Sequence, residues 1–235
     1  MKYREVRPGP DLLPFVECLW QAWDRDRWPR EPQRILPDGC PELIVHLGDR
    51  FSRLRSGRWS AQPRAFLAGT LSRPWLVRGG RHVCTLGVRF RPATAAGVLA
   101  VRLDNWADRE TALASLVGAR RSARLLARLR EAATMKGRFA ALEAWLKEGL
   151  APRAQPAQGL ARRAVGVILD SRGQVRMTDL AERCQATARQ LERAFARELG
   201  IRPKLFARIV RLNAFLERSG EGTRERMVDL ALDAG

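Results

Sequence analysis

The feature that most constrains this chain is a change of hydrophobic period at Arg91-Pro92. Upstream of it, apolar residues fall in short, often alternating runs at 33–36, 43–47, 65–68, 75–77 and 83–90, separated by Pro, Gly, Asp and Ser. Runs of that length and period predict strands in a small sheet or barrel. Pro37-Asp38-Gly39 is a turn, because Pro presets its φ and Gly tolerates a positive one. Residues 50–62 read as an exposed hairpin loop, and residues 10–20 as a short helix with Pro14 inside it. Downstream the period becomes helical. Pro92 suits a first helical position, with helix following over 93–101. Leu113, Leu116 and Val117, then Leu125, Leu126 and Leu129, mark further turns, and a helix over 134–150 carries Phe139, Leu142, Leu146 and Leu150 on one stripe. Residues 151–159, with two prolines, one glycine and no large apolar side chain, form a linker. The expected fold class is α+β: a β-rich domain with following helices over 1–150, then an all-α domain over 160–235.

Composition bounds the function classes. With 46% hydrophobic and 29% charged residues the chain is globular. It has neither the roughly 20-residue apolar run of a membrane span nor an apolar N-terminal signal, so a cytoplasmic, membrane-free protein is expected. Cys18, Cys40, Cys84 and Cys184 are widely spaced, and reduced thiols are expected rather than a zinc knuckle or a disulfide framework. The formal charge of +18 comes from 43 basic residues, 39 of them arginine. It is spread evenly: 27 basic against 15 acidic residues over 1–150, and 16 against 10 over 151–235. Global charge therefore permits nucleic-acid binding without locating it.

Location comes from a duplication. Arg176-Met177-Thr178-Asp179-Leu180-Ala181 recurs fifty residues later as Arg226-Met227-Val228-Asp229-Leu230-Ala231, five of six positions identical. A short helix from the first copy closes near Cys184. Thr187 and Gln190 then form a capping box that opens a second helix. Helix, tight turn, helix is the arrangement that lays its second helix in the DNA major groove. Leu180, Ala181 and Cys184 are expected to pack on Leu191, Phe195 and Leu199. The opposite face shows Arg189, Glu192, Arg193 and Arg197; a guanidinium there can pair bidentately with guanine and Glu192 can accept from cytosine. Residues 187–211 hold seven basic and two acidic side chains. An ordinary solvated helix face is the alternative. Gly200 ends this helix, and Pro203 opens a longer one to about Glu217, its apolar face made of Phe206, Ile209, Val210, Leu212 and Leu216.

Residues 177–216 resemble the DNA-binding domain of the AraC/XylS family of bacterial transcription regulators. The resemblance rests on Asp179-Leu180-Ala181, on Thr187, Gln190, Leu191, Arg193 and Phe195, and on Glu198-Leu199-Gly200-Ile201 with Pro203-Lys204, Phe206, Arg208-Ile209 and Arg211-Leu212. It implies two helix-turn-helix motifs joined by a long helix, base reading by Arg189, Gln190, Glu192 and Arg193, and phosphate or structural roles for Thr187, Lys204 and Arg211. It also implies double-stranded DNA and RNA polymerase as partners and activator-type regulation. The second copy stops after Gly235, before a second recognition helix, so a truncated second motif is expected. Segments 35–40, 66–69 and 86–92 are similar to a sensor-type domain found ahead of such DNA-binding domains, which implies a small-molecule effector or a homodimer.

Candidate ligand contacts in the first half are Trp20, Trp23 and Trp75, with Phe90, as an apolar pocket, and His46, His82 and Arg89 as polar groups. The alternative is that the aromatics fill a core. A metal site from Cys40, His46, His82 and Cys84 is the rival chemistry, though no metal or cofactor is expected. Absent a nucleophile elbow, a phosphate-binding glycine loop or an H-E-x-x-H helix, a non-enzyme is expected. The remaining rival is a metal- or small-molecule-binding protein whose shortened helical domain no longer binds DNA.

Overall fold

The computed structural model describes residues 2–24, 31–101, 106–150 and 159–219. Its first half holds β1 (Lys2–Val6), β2 (Val16–Asp24), β3 (Gln33–Ile35), β4 (Glu42–His46), β5 (Ser52–Arg55), β6 (Arg58–Ala61), β7 (Ala65–Ala68), β8 (Trp75–Arg78) and β9 (Val83–Phe90). After them come α1 (Ala95–Leu99), β10 (Glu110–Ala112), α2 (Leu113–Val117), α3 (Ala119–Glu131) and α4 (Met135–Gly149). The strands form two antiparallel sheets, ordered β1-β2-β9-β4-β7-β10 and β3-β8-β5-β6.

Alternation along the larger sheet sorts its residues into two layers. Leu19, Leu43, Val45, Leu67, Leu86 and Val88 bury against Val98 and Leu99 of α1, Leu113 of α2, Leu125 and Leu129 of α3, and Leu142, Trp145 and Leu146 of α4. Each such side chain contributes about 1.5–3 kcal/mol of transfer free energy. The other parity, Trp20, Glu42, Ile44, His46, Thr85 and Arg89, faces a cavity. Register fixes its floor: Ile44 and Trp20 both pair with Gly87, Glu42 with Arg89, and His46 with Thr85.

Three local expectations need correction. Residues 10–20 are not helical. Leu13 and Val16 close single turns onto Gly9 and Leu12, and β2 then takes its backbone bonds from β1 and β9; Pro14 cannot donate to a continuing helix. Pro92 is not a first helical residue either. Ala93 sits at φ +62, and Thr94 Oγ1 donates to the carbonyls of Phe15 (2.5 Å) and Arg91 (2.8 Å), so α1 starts only at Ala95. Residues 50–62 do form a hairpin, but its arms are paired strands on a Ser56-Gly57 turn with both φ positive, and β5 extends the smaller sheet onto β8.

The second half is α5 (Leu160–Asp170), α6 (Met177–Arg183), α7 (Ala188–Glu198) and α8 (Pro203–Ser219). Ala164, Ile168, Leu180, Cys184, Leu191, Phe195, Leu199 and Phe206 share one core, with Phe195 and Phe206 edge to face at 5.9 Å. Leu212, expected on the buried face of α8, is 41% exposed; it lies about 100° around the helix from Asn213, on the stripe's flank. The protein is thus α+β, β-rich sheets first and helices after. Gly159 precedes α5. The remaining expected linker residues, 151–158, and the second hexamer copy at 226–231 lie outside the described residues.

The two halves touch. Asn213 Nδ2 on α8 donates to the Pro37 carbonyl at 2.9 Å, and Arg162 Nε on α5 donates to the Ala93 carbonyl at 3.1 Å. Gly39, at φ +84, lies so close to Phe206 that a Cβ there would stand 2.6 Å from the ring. The Pro37-Asp38-Gly39 turn therefore leans on the helix that follows α7. Among the described residues, no helix is long and apolar enough to cross a membrane.

Candidate functional site

Two arrangements stand out, one on the surface of α7 and one inside the sheets. The α6–α7 turn is a Schellman-type closure: Gln185, at φ +48, donates its N–H to Glu182 and Ala186 donates to Ala181. Thr187 follows as N-cap. Gln190 N–H donates to Thr187 Oγ1 at 3.2 Å, and Thr187 N–H donates to Gln190 Oε1 at 2.8 Å, completing the capping box. With both ends fixed, α7 buries Leu191, Ala194 and Phe195, and Ala181 packs beside them.

The outward face is cationic. Arg189, Glu192, Arg193 and Arg197 are exposed, as are Arg202, Lys204, Arg208 and Arg211 beyond the helix end. Among the described residues Arg197 pairs with its neighbour Glu198 at 3.0 Å, whereas Arg189 and Arg193 have no ion pair. Thr187 and Gln190 are engaged with each other. The hydroxyl and Oε1 of this pair hold the helix start, leaving Gln190 Nε2 as the outward donor.

The cavity lies between the sheets, with a volume of about 1110 Å³. Of the ligand contacts expected from sequence, Trp20, His46, Trp75 and Arg89 line it. Trp23, Phe90 and His82 do not. Trp23 pairs with Cys84, whose Sγ accepts from Arg138 of α4, so it belongs to the helix-side parity. Phe90 is fully buried in the helix-side core, and His82 is exposed in the β8–β9 turn. For the same reason Cys40, His46, His82 and Cys84 are not brought together. No cluster of three metal-ligating side chains occurs among the described residues.

At one end of the cavity His46 is fully buried. Its Nδ1 meets Thr85 Oγ1 at 3.0 Å and its Nε2 meets Gln62 Oε1 at 3.1 Å, while Gln62 Nε2 donates to Glu110 at 2.9 Å. Glu110 in turn holds Arg55. Burial lowers the His46 pKa to about 4, so the ring is a neutral structural link with both nitrogens occupied.

The other end is ionic. Arg89 contacts Glu42 (2.9 Å), Asp38 (3.3 Å) and Glu5 (3.3 Å). Burial pushes Glu42 up to about 7 although Arg89 pulls the other way, and burial also raises Asp38. Trp20 covers Gly87 so closely that a Cβ there would stand 2.0 Å from the indole. The Trp20 N–H lies beside Glu42 and favours its anion without reaching ordinary hydrogen-bond geometry. The Trp75 N–H, also buried, has no acceptor among the described residues. Asp38, Glu42 and Gly87 were not among the expected site residues. A glycine in the middle of an eight-residue strand was the available signal, since it marks a close approach.

Residues 4–112 match a family model described as a domain of unknown function (DUF6597), a span that ends with β10 and carries the cavity. No curated protein matches the chain. Among solved structures, the crystal structure of the AraC-like transcriptional activator CuxR overlaps 76% of this chain and 66% of its own length, at 13% identity and a TM-score of 0.26. The chain thus spans just under two thirds of that protein, with an overlap too loose to carry fold or function across.

Proposed function

We propose that the protein is a sequence-specific DNA-binding transcription regulator in which α7 reads the major groove. The observation that carries this reading is the doubly anchored α7. A Schellman turn and a capping box fix its start, an apolar face fixes its rotation, and the remaining face offers Arg189 and Arg193, one turn apart and without an ion pair among the described residues. Unpaired guanidiniums on a rigid helix are pre-organised for bidentate guanine contacts, with Glu192 placed to accept from cytosine. Arg197, Lys204 and Arg211 extend the cationic surface past the helix end, where phosphates would position the duplex. Thr187 and Gln190 support the reader by fixing its first turn. Under this reading the N-terminal half is the effector- or dimer-forming part, and no enzymatic chemistry is assigned.

The test is selection of a duplex from a random library, followed by fluorescence anisotropy across a salt series. Arg193→Ala is expected to cost about 1–3 kcal/mol and relax preference at one base, whereas Lys204→Ala weakens all sequences alike and lowers the salt slope by about one unit. Uniform loss for both variants would remove Arg193 as a base reader. No salt-dependent binding to any duplex would overturn the proposal.

A further inference from the structure

We infer that the cavity between the sheets is a binding site for an organic cation, an amine or quaternary group on an apolar or aromatic body, held by the Glu42–Asp38 wall. This goes beyond the DNA-binding reading and does not rest on it.

The inference starts from which polar groups in the cavity are already satisfied. The His46 end is tied up: both ring nitrogens have partners, and Gln62 is held at both ends of its amide between His46 and Glu110. Arg89 is already paired with Asp38, Glu42 and Glu5, and the ionisable lining of the cavity, Glu31, Asp38 and Glu42 against Arg34 and Arg89, leaves one negative charge in excess when all are ionised. An anionic ligand would have to displace one of those carboxylates from Arg89. A cation instead balances that excess, and it relieves the like-charge repulsion between Asp38 and Glu42, which share the Arg89 guanidinium.

Aromatic residues supply the second half of the site. Trp20 floors this end over Gly87, and Tyr3 lies 5.9 Å from it, tilted at 35°. Ring faces beside a carboxylate attract a cation through their quadrupole. Independent of the acidic cluster, Trp75 is only 4% exposed, lines the cavity and keeps an N–H unpartnered among the described residues. A buried donor without an acceptor is destabilising, and an oxygen on the ligand would relieve it. The cavity, at about 1110 Å³, is slightly larger than the roughly 300–1,000 Å³ of pockets that enclose drug-sized molecules, so such a ligand fits within it. Burial of Glu42 keeps part of its population protonated near neutrality, so the empty cavity tolerates the cluster and a bound cation completes its ionisation.

The experiment is isothermal titration of the full chain, without DNA, using three probes of one shape that share a ring methoxy oxygen: the 6-methoxy derivatives of 2-naphthylmethylammonium, 2-naphthylmethanol and 2-naphthoate. The cation is expected to bind at least about tenfold more tightly than the alcohol or the carboxylate. Glu42→Gln should remove most of that preference while circular dichroism still shows the native fold, the weakened Arg89 pairing lowering the melting point. If Glu42→Gln fails to fold, Asp38→Asn, at a half-exposed site, tests the same wall. Equal affinity for the three probes, tighter binding of the carboxylate, no binding of the ammonium, or a preference that survives both substitutions would each overturn the inference. The DNA-binding reading would stand or fall separately, on the anisotropy series.

Discussion

Arg193 and Arg89 are the same side chain put to opposite uses. On α7, Arg193 is exposed and has no ion pair among the described residues, and the fold beneath it is secured by Leu191, Phe195 and the Thr187 cap. In the sheets, Arg89 is enclosed by Glu5, Asp38 and Glu42, and the strand register that places it also sets the cavity. A surface site of the first kind is separable from stability, since removing a solvated charge leaves nothing buried and unpaired. A site of the second kind is not, because each buried polar group there is another's partner. Changes to the buried groups of the sheet region should therefore lower stability or shift its pH dependence, and removal of an exposed α7 charge should alter binding alone.

The largest expected effect tests the sheet side. Gly87→Ala places a methyl 2.0 Å from the Trp20 ring, so the indole must leave the cavity floor or the strands must separate. Overpacking of this severity should cost about 3 kcal/mol or more, read as a fall in the urea midpoint. A near-neutral Gly87→Ala would show that the floor is pliable and that the contrast with α7 is false.

His46 comes next. Its folded pKa of about 4 lies below the ordinary 6.5, so between those values the unfolded chain binds the proton and the folded one does not. Stability is complete above 6.5 and falls as pH drops toward 4, by about 3 kcal/mol from this residue. Glu42 works in the reverse direction, since a carboxyl raised to about 7 adds stability as pH falls below 7 toward its ordinary range. The difference between wild type and His46→Gln isolates the histidine. Denaturant titrations from pH 7 to 4.5 should show the wild type losing more stability than the variant, and parallel curves would refute the assignment.

The same contrast explains what was readable in the sequence. The α7 surface comes from one contiguous stretch: Thr187 and Gln190 announce the helix start, and the spacing of Leu191 and Phe195 fixes which face Arg189 and Arg193 occupy. Local rules suffice there, apart from Gln185, which takes a positive φ where glycine is usual. The cavity draws on β2, β4, β8, β9 and a turn, so it depends on register between distant strands. Periodicity placed His46 and Trp75 on strands but could not say that Trp20 and Trp23, three residues apart, fall on opposite layers. Nor could it pair Glu42 with Arg89 across 47 positions. Residues 10–20 and Pro92 were misread for a related reason: hydrogen bonds to Phe15, Arg91 and the neighbouring strands outweigh local helix preference there.

On the α7 side the effects are smaller. Thr187→Ala removes the hydroxyl that accepts from Gln190 N–H and should cost about 1 kcal/mol. Because the cap fixes the first turn, the same variant should also weaken duplex binding modestly without changing which base is preferred. Thr187→Ser, which keeps the acceptor, should restore both.

The smallest stability change is the sharpest test of the comparison. Arg193→Ala removes a side chain that touches no described partner, so its unfolding free energy should stay within about 0.5 kcal/mol of wild type, since alanine also favours the helix. The same substitution should weaken the selected duplex by about 1–3 kcal/mol. That dissociation, stability unmoved and binding lost, is what an exposed reader predicts and what an enclosed residue such as Arg89 cannot give. If Arg193→Ala instead lowered the unfolding midpoint in proportion to its loss of binding, the guanidinium would be part of the fold. The α7 surface would then obey the same rule as the cavity.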